Sequence, residues 1–305
     1  MSLTEDPLAC SPDQSFDNFV DNETETDLIN SFNFNTDLDY HFDEHDISQL
    51  PSSSVYYTES QLADKIVNND NNTFSLLHFN VRSVAKHFDA LSSFLEKCKF
   101  QCPVIGLTET WLNHTSPLYK LPDFDFITNN RNNKRGGGVA LYISQNFQYK
   151  CILDLNIMSK FIESLFVEIT VPNDKNIVIG VVYKPPHSSN IDFLNTMQDI
   201  LLNPDLQRKN CFIMGDFNIN FLHCDEDNSV HDFLDLMSSH SFLPFITKPT
   251  RHTNHSFTLI DNVFSNCMPP LETGIIISDI SDHFPIYLES PNLLNPSASR
   301  LVNLT

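Results

Sequence analysis

The sequence predicts an α/β fold: a two-sheet sandwich with flanking helices, preceded by an acidic, disordered N-terminal tail. Three observations carry this reading. Short runs of Val, Ile, Leu and Phe recur from Phe74 to Glu289, each bounded by Asn, Asp, Pro or Gly, the pattern of strands between turns. A few longer segments repeat apolar residues at helical spacing. The charge is lopsided: residues 1–65 hold 15 Asp and Glu against one Lys, which is −14 of the net −21.

In chain order, strands are predicted at Phe74–Asn80, Val104–Glu109, Phe124–Thr128, Gly138–Ser144, Ile162–Val171, Ile177–Tyr183, Cys211–Gly215, Leu259–Phe264, Gly274–Ser278 and Pro285–Glu289. Helices are predicted at Val84–Cys98, Ile191–Leu202 and Val230–Ser239. The first carries Val84, Phe88, Leu91, Phe94 and Leu95 as one stripe, and the third gathers Phe233, Leu234, Leu236 and Met237 on one side. With strands dominant, the helices serve to cover the outer sheet faces. The domain is expected to span residues 66–290, between the acidic tail at 1–65 and a short C-terminal tail at 291–305.

Residues 1–65 have no period of 2 or 3.6 and are rich in Asp, Asn, Ser and Thr, so they bury too little apolar surface to offset the entropy of ordering. Their scattered aromatics leave a second reading, that the segment docks on a partner or lies over a basic groove. No stretch approaches 18 consecutive apolar residues, which predicts no membrane span. The N-terminus lacks a basic signal region. Seven cysteines occur singly apart from Cys98 and Cys102. With no second pair this is no zinc pattern, and reduced, intracellular thiols are expected.

Polar residues collect where the predicted strands end. Asn80, Glu109, Tyr183, Asp216 with Asn218, Asp261, and Asp282-His283 each follow or close an apolar run, and sheet proteins place their sites at such ends. Met214-Gly215-Asp216-Phe217-Asn218 is the most informative, since Asp216 and Asn218 leave an extended chain on the same face. The set is oxygen-rich with one titratable base. Hard oxygen donors suit Mg²⁺, and a His beside an Asp suits orientation of, or proton transfer to, a nucleophile. Read singly, each residue is equally at home as a turn former or a structural group. Together they describe a site.

Several motifs carry a resemblance: Asn80-Val81-Arg82-Ser83, Leu107-Thr108-Glu109-Thr110-Trp111-Leu112, Arg135-Gly136-Gly137-Gly138-Val139-Ala140, Gly180-Val181-Val182-Tyr183-Lys184-Pro185-Pro186, Gly215-Asp216-Phe217-Asn218 and Ser281-Asp282-His283. In order over about residues 70–290, they resemble the endonuclease domain of non-LTR (LINE-type) retrotransposons. That domain is a branch of the endonuclease/exonuclease/phosphatase superfamily, similar to apurinic/apyrimidinic endonucleases. The resemblance implies a Mg²⁺- or Mn²⁺-dependent enzyme that nicks DNA. Glu109 would bind the metal with Asn80 nearby, and Asp216 would orient or deprotonate the attacking water. Asn218 and Tyr183 would hold the scissile phosphate. His283 would contact the phosphate or move a proton, fixed by Asp261, and Asp282 would support the metal or the nucleophile. Thr247 and Arg135 are weaker phosphate contacts. The implied partners are DNA and, if one is used, a reverse transcriptase encoded elsewhere; the implied location is nuclear during action on DNA. Two alternatives stay open: another superfamily phosphoesterase, on a phosphoinositide, a sphingomyelin-like lipid or poly(A), or a catalytically silent interaction protein.

Overall fold

The computed structural model describes residues 54–294, apart from 68–72, 98–101, 132–134, 173, 224–226, 254–255, 268–269 and 292. The acidic segment before Ser54 and the tail after residue 294 lie outside the described residues.

Two sheets form the frame. The first has seven strands in the order β1-β14-β15-β2-β3-β5-β4: β1 Val55–Tyr57, β2 Phe74–Asn80, β3 Val104–Thr108, β4 Phe124–Asn129, β5 Val139–Ser144, β14 Glu272–Ile276 and β15 Ile286–Ser290. The second has six in the order β10-β13-β9-β8-β7-β6: β6 Tyr149–Cys151, β7 Glu163–Ile169, β8 Ile177–Tyr183, β9 Asn210–Asp216, β10 Leu243–Pro244 and β13 Asp261–Ser265. A separate hairpin joins β11 Arg251–Thr253 to β12 Ser256–Thr258. The helices are α1 Glu59–Val67, α2 Val84–Lys97, α3 Asn190–Leu201, the short α4 Pro204–Arg208 and α5 Asn228–Ser239.

Strand alternation sends one set of side chains between the sheets and the other under the helices. In β2, Phe74, Leu76, His78 and Asn80 form one set, and the Phe74 ring packs 5.9 Å from that of Phe212 in β9. A Cβ on Gly106 of β3 would sit 2.8 Å from the Met214 side chain of β9, so the sheets meet closely here. The opposite set, Leu77, Phe79, Ile105 and Leu107, packs with Val84, Leu91 and Phe94 of α2 and Leu62 of α1. Each such fully buried side chain contributes about 2 kcal/mol of transfer free energy. Under α3 and α5, Phe193, Phe217, Phe221, Phe233 and Phe264 form a second aromatic core, with Phe217 5.3 Å from Phe233 and 5.2 Å from Phe264.

Every predicted strand and helix is present, with boundaries shifted by a few residues. The expected domain start at residue 66 is not where the fold begins. β1 pairs in parallel with β14, Val55 against Gly274, and α1 continues through residue 65. Lys65 Nζ lies 2.6 Å from Glu272 Oε2 and 2.6 Å from Glu289 Oε1, and Tyr56 and Leu62 are buried. Acidic flanks hide this short apolar piece because its pairing partner lies more than 200 residues away.

Candidate active site

The parallel pairs β2–β3 and β8–β9 and the antiparallel β13 bring five polar strand ends to one edge of the sandwich. Asn80 closes β2, Tyr183 closes β8, Asp216 closes β9, and Asp261 opens β13 directly opposite Asp216 in register. Glu109 follows β3 by one residue. The interior-facing set of β2 delivers Asn80 across the gap between sheets. Its Nδ2 donates to Asp216 Oδ2 at 2.7 Å and to Glu109 Oε1 at 3.0 Å. The Asn80 oxygen accepts from the Arg82 N–H at 3.2 Å. Asn80 was expected as a metal neighbour; what it presents to the site is its NH₂, which aims two carboxylates.

Asp216 is buried and fully hydrogen-bonded. Oδ1 accepts from the Asn218 N–H at 3.0 Å, and Oδ2 accepts from Asn218 Nδ2 at 3.2 Å besides Asn80. Asn218 Nδ2 also donates to the Lys184 carbonyl at 2.8 Å. Burial, then the nearby Asp261 charge, raise the Asp216 pKa to about 7, against the opposing pull of His283. A carboxyl so tuned can accept a proton near neutrality.

Asp261 and His283 make a buried pair. His283 Nδ1 stands 2.8 Å from Asp261 Oδ2, and Thr250 Oγ1 donates to the same oxygen at 2.7 Å. Burial acts to lower the His283 pKa, but the Asp261 charge and hydrogen bond, with Asp216 and Asp282, raise it to about 9. Ser281 fixes the loop: its Oγ donates to the Asn80 carbonyl at 2.7 Å and accepts from the His283 N–H at 3.1 Å. Beneath the pair, His78 Nδ1 lies 3.9 Å from Asp261 Oδ1. Burial pushes His78 down to about 4, so it sits there neutral, with Nε2 3.1 Å from Thr108 Oγ1.

Tyr183 is buried at the same edge, and burial raises its pKa, so its hydroxyl keeps its proton. Asp282 stands apart from the two buried acids. It bridges two guanidinium groups, with Arg82 Nη1 at 2.9 Å from Oδ1 and Arg251 Nε at 2.9 Å from Oδ2. Burial opposes but does not overcome His283 and the two arginines, which hold its pKa below the usual carboxylate value. Thr247, expected at the phosphate, is elsewhere. It is buried, and its Oγ1 accepts from the Ser54 N–H at 2.9 Å, anchoring β1. The threonine that reaches the site is Thr250, three residues on, which no sequence signal separates from Thr247. Arg135 stands outside the carboxylate cluster, with its guanidinium 5.3 Å from the centre of the Trp111 ring.

Strain concentrates in these loops. Glu109, Trp111 and Asn218 adopt φ of 53°, 55° and 46°, values disfavoured for residues with a Cβ and typical of functional loops. Glu109 is held from both sides, since Trp111 Nε1 donates to its Oε2 at 3.1 Å. The Trp111 N–H donates to the Gly137 carbonyl at 2.8 Å. Gly136, Gly137 and Gly138 all have positive φ, and the Gly138 N–H and Arg131 both donate to buried Glu163. A Cβ on Gly137 would meet the Arg131 guanidinium at 2.4 Å. The glycine run is therefore a seat for the Glu109 loop.

Asp216, Asp261 and His283 offer ligand atoms within 4.8 Å of one another and could hold a metal ion. The donor set around them, Glu109 included, is dominated by oxygen, and Asp261 Oδ1 is buried without a hydrogen-bond partner. Hard divalent cations suit such donors. The half-buried Glu109 carboxylate adds a further oxygen donor beside this group, tied to it through Asn80.

A doubled sheet with helices outside and acids, amides and a His–Asp pair at one edge defines a phosphoesterase-type fold and site. The chain belongs to the endonuclease/exonuclease/phosphatase family, which residues 77–283 match; its members are phosphodiester hydrolases, nucleases and phosphatases, and its nucleases generally depend on a divalent metal. Solved structures share the fold. The endonuclease domain of TRAS1, a telomere-specific non-LTR retrotransposon, aligns at TM-score 0.57 and 12% identity over 72% of this chain and 99% of that one. The AP endonuclease LMAP from Leishmania major aligns at 0.60 and 14%, over 83% and 97%. The catalytic domain of Xenopus laevis APE2 aligns at 0.54 and 15%, over 72% and 93%. No curated protein sequence matches the chain significantly. No helix among the described residues is long and apolar enough to cross a membrane.

Proposed function

We propose that this chain is a divalent-metal-dependent DNA endonuclease, of the retrotransposon type, that nicks one strand and leaves 3′-hydroxyl and 5′-phosphate ends. The observation that carries this reading is the Asp261–His283 pair set beside Asp216, with Asn80 tying Asp216 to Glu109. Phosphodiester hydrolysis needs an activated water, a polarised phosphoryl oxygen and stabilised charge on the leaving oxygen.

Glu109 would hold Mg²⁺ or Mn²⁺, and such an ion would supply neutralisation of phosphoryl charge. Asp216, with its pKa near neutrality, takes a proton from the attacking water, and Asn80 and Asn218 hold its oxygens in place. His283, cationic and buried, donates to a phosphoryl oxygen, with Asp261 fixing the ring. Tyr183 donates its hydroxyl to the phosphate. Arg82 and Arg251, held by Asp282, flank the entrance as cations for the neighbouring backbone. The arginine pairs of Asp282 favour this support over direct contact with the ion. On a DNA substrate the site of action is nuclear.

Supercoiled plasmid tests the reading. Conversion to the nicked circle is expected with Mg²⁺ or Mn²⁺ and the purified chain, and no conversion in excess EDTA. Nicking that persists in EDTA removes the metal from the mechanism. A chain inert on DNA but active on a phosphoinositide or on poly(A) would move it to another branch of the family.

A further inference from the structure

Beside Glu109 and Tyr183 lies a cleft of about 870 Å³ that the hydrolytic residues do not fill. Its walls carry Trp111 and Phe161. Each ring has a cation over it: the Arg135 guanidinium lies 5.3 Å from the Trp111 ring centre, and Lys160 Nζ lies 4.6 Å from that of Phe161. Both rings are half-buried and both cations exposed, so neither ring is sealed in the core and the charges stand where an anion can meet them. The chain as a whole is strongly acidic, which makes two cation-capped rings lining one cleft conspicuous. The Trp111 ring is also fixed, because its Nε1–H is bonded to Glu109.

We infer that this cleft is a stacking subsite for an unpaired nucleobase on the strand being cut, one nucleotide from the scissile phosphate; the inference rests on the nuclease reading above. A pocket of several hundred Å³ accommodates a nucleotide. Aromatic faces take a base of any sequence, and a cation over the ring strengthens the stack while meeting the adjoining phosphate. A base still paired in an undistorted duplex has both faces covered by its neighbours. The subsite therefore selects DNA that is single-stranded, frayed or lacking a partner base near the cut.

Trp111 is the chain's single tryptophan, so its emission reports on this cleft alone. The experiment titrates the full chain at low salt in EDTA with a fluorescein-labelled single-stranded oligonucleotide, following tryptophan emission and fluorescein anisotropy together. Binding is expected to quench the emission, and an oligomer of abasic deoxyribose phosphate to bind without quenching. Phe161→Ala is expected to weaken binding about tenfold, the size of one lost base–aromatic stack, and Lys160→Ala less. Unchanged emission on binding, or equal quenching by the abasic oligomer, overturns the subsite and leaves the nuclease reading intact, with plasmid nicking as its separate check. Absence of both binding and nicking overturns both.

Discussion

Asp216 and Asp261 face each other in register across β9 and β13, two buried acids of which one is paired with a histidine and the other with two amides. Their environments push them to different tasks. Asp261 is spoken for by His283 and Thr250, while Asp216 pairs only with groups that leave it free to gain a proton. Such divergence between neighbouring titratable groups is how acid and base roles are separated in one site.

Replacing Asp216 with Asn should lower nicking by at least about 10²-fold, the size of a lost general base. It should also leave the melting temperature unchanged or raised. The wild-type carboxylate is charged against burial and against Asp261, and sites built for function store such cost. A variant with near-normal activity would remove Asp216 from proton transfer.

The contribution of Asp216 and His283 to stability should fall as pH rises from acid to alkaline values, in two overlapping windows, against carboxylates such as Asp282 whose lowered pKa works in the opposite sense at acid pH. Asp216 is raised from 3.8 to about 7, so the folded state holds its proton longer than the unfolded chain and loses that advantage between those values. His283 is raised from 6.5 to about 9, so its contribution is complete below 6.5 and disappears through 9. Thermal melts of the metal-free chain across this range check the sign. A flat profile for the double variant Asp216→Asn, His283→Gln would assign the slope to these two groups, and an unaltered slope would assign it elsewhere.

Asp261→Asn should move the alkaline limb of the pH–rate profile to lower pH. The Asp261 charge is the main influence raising His283 against burial, and without it the imidazole returns toward or below its ordinary 6.5. Activity at pH 6 should survive better than activity at pH 8. A limb that stays in place would mean that another group sets it.

Gly137→Ala should destabilise the fold by about 1–2 kcal/mol, since φ is +68° and the new methyl meets Arg131. Because the same glycine carbonyl holds the Trp111 N–H, the variant should also need more Mg²⁺ for half-maximal nicking. Normal metal dependence at reduced stability would restrict the glycine run to folding.

Truncation should separate two boundaries. A chain starting at Ser54 should melt as the full chain does. One starting at Ile66 loses β1 and most of α1, with buried Tyr56 and Leu62, each about 2 kcal/mol of burial, and should melt well below it. If the shorter chain is as stable, the pairing of β1 with β14 is ornamental. The Ser54 chain also sheds a strongly acidic segment and should bind duplex DNA more tightly at low salt, with the gain fading as salt screens it.

The amino-acid sequence determined ten of the strands, the three long helices and the polar residues at the strand ends, because burial on both faces writes continuous apolar runs and polar residues mark where those runs stop, while the short strands β1, β6, β10, β11 and β12 write no such run. It determined the endonuclease/exonuclease/phosphatase family as well, through short motifs that fall almost wholly within the family match over residues 77–283. The tertiary structure alone decided which polar residues meet. Asn80 and Asp216 are 136 residues apart, and only the stacking of β2 over β9 joins them. Asp282 and His283 are adjacent, yet one turns to two arginines and the other to Asp261. Thr250 rather than Thr247 reaches the site for the same reason, and β1 belongs to the fold because β14, far along the chain, offers it an open edge. Local pattern records whether a residue is buried, whereas its partner depends on sheet order and register, which are properties of the assembled chain.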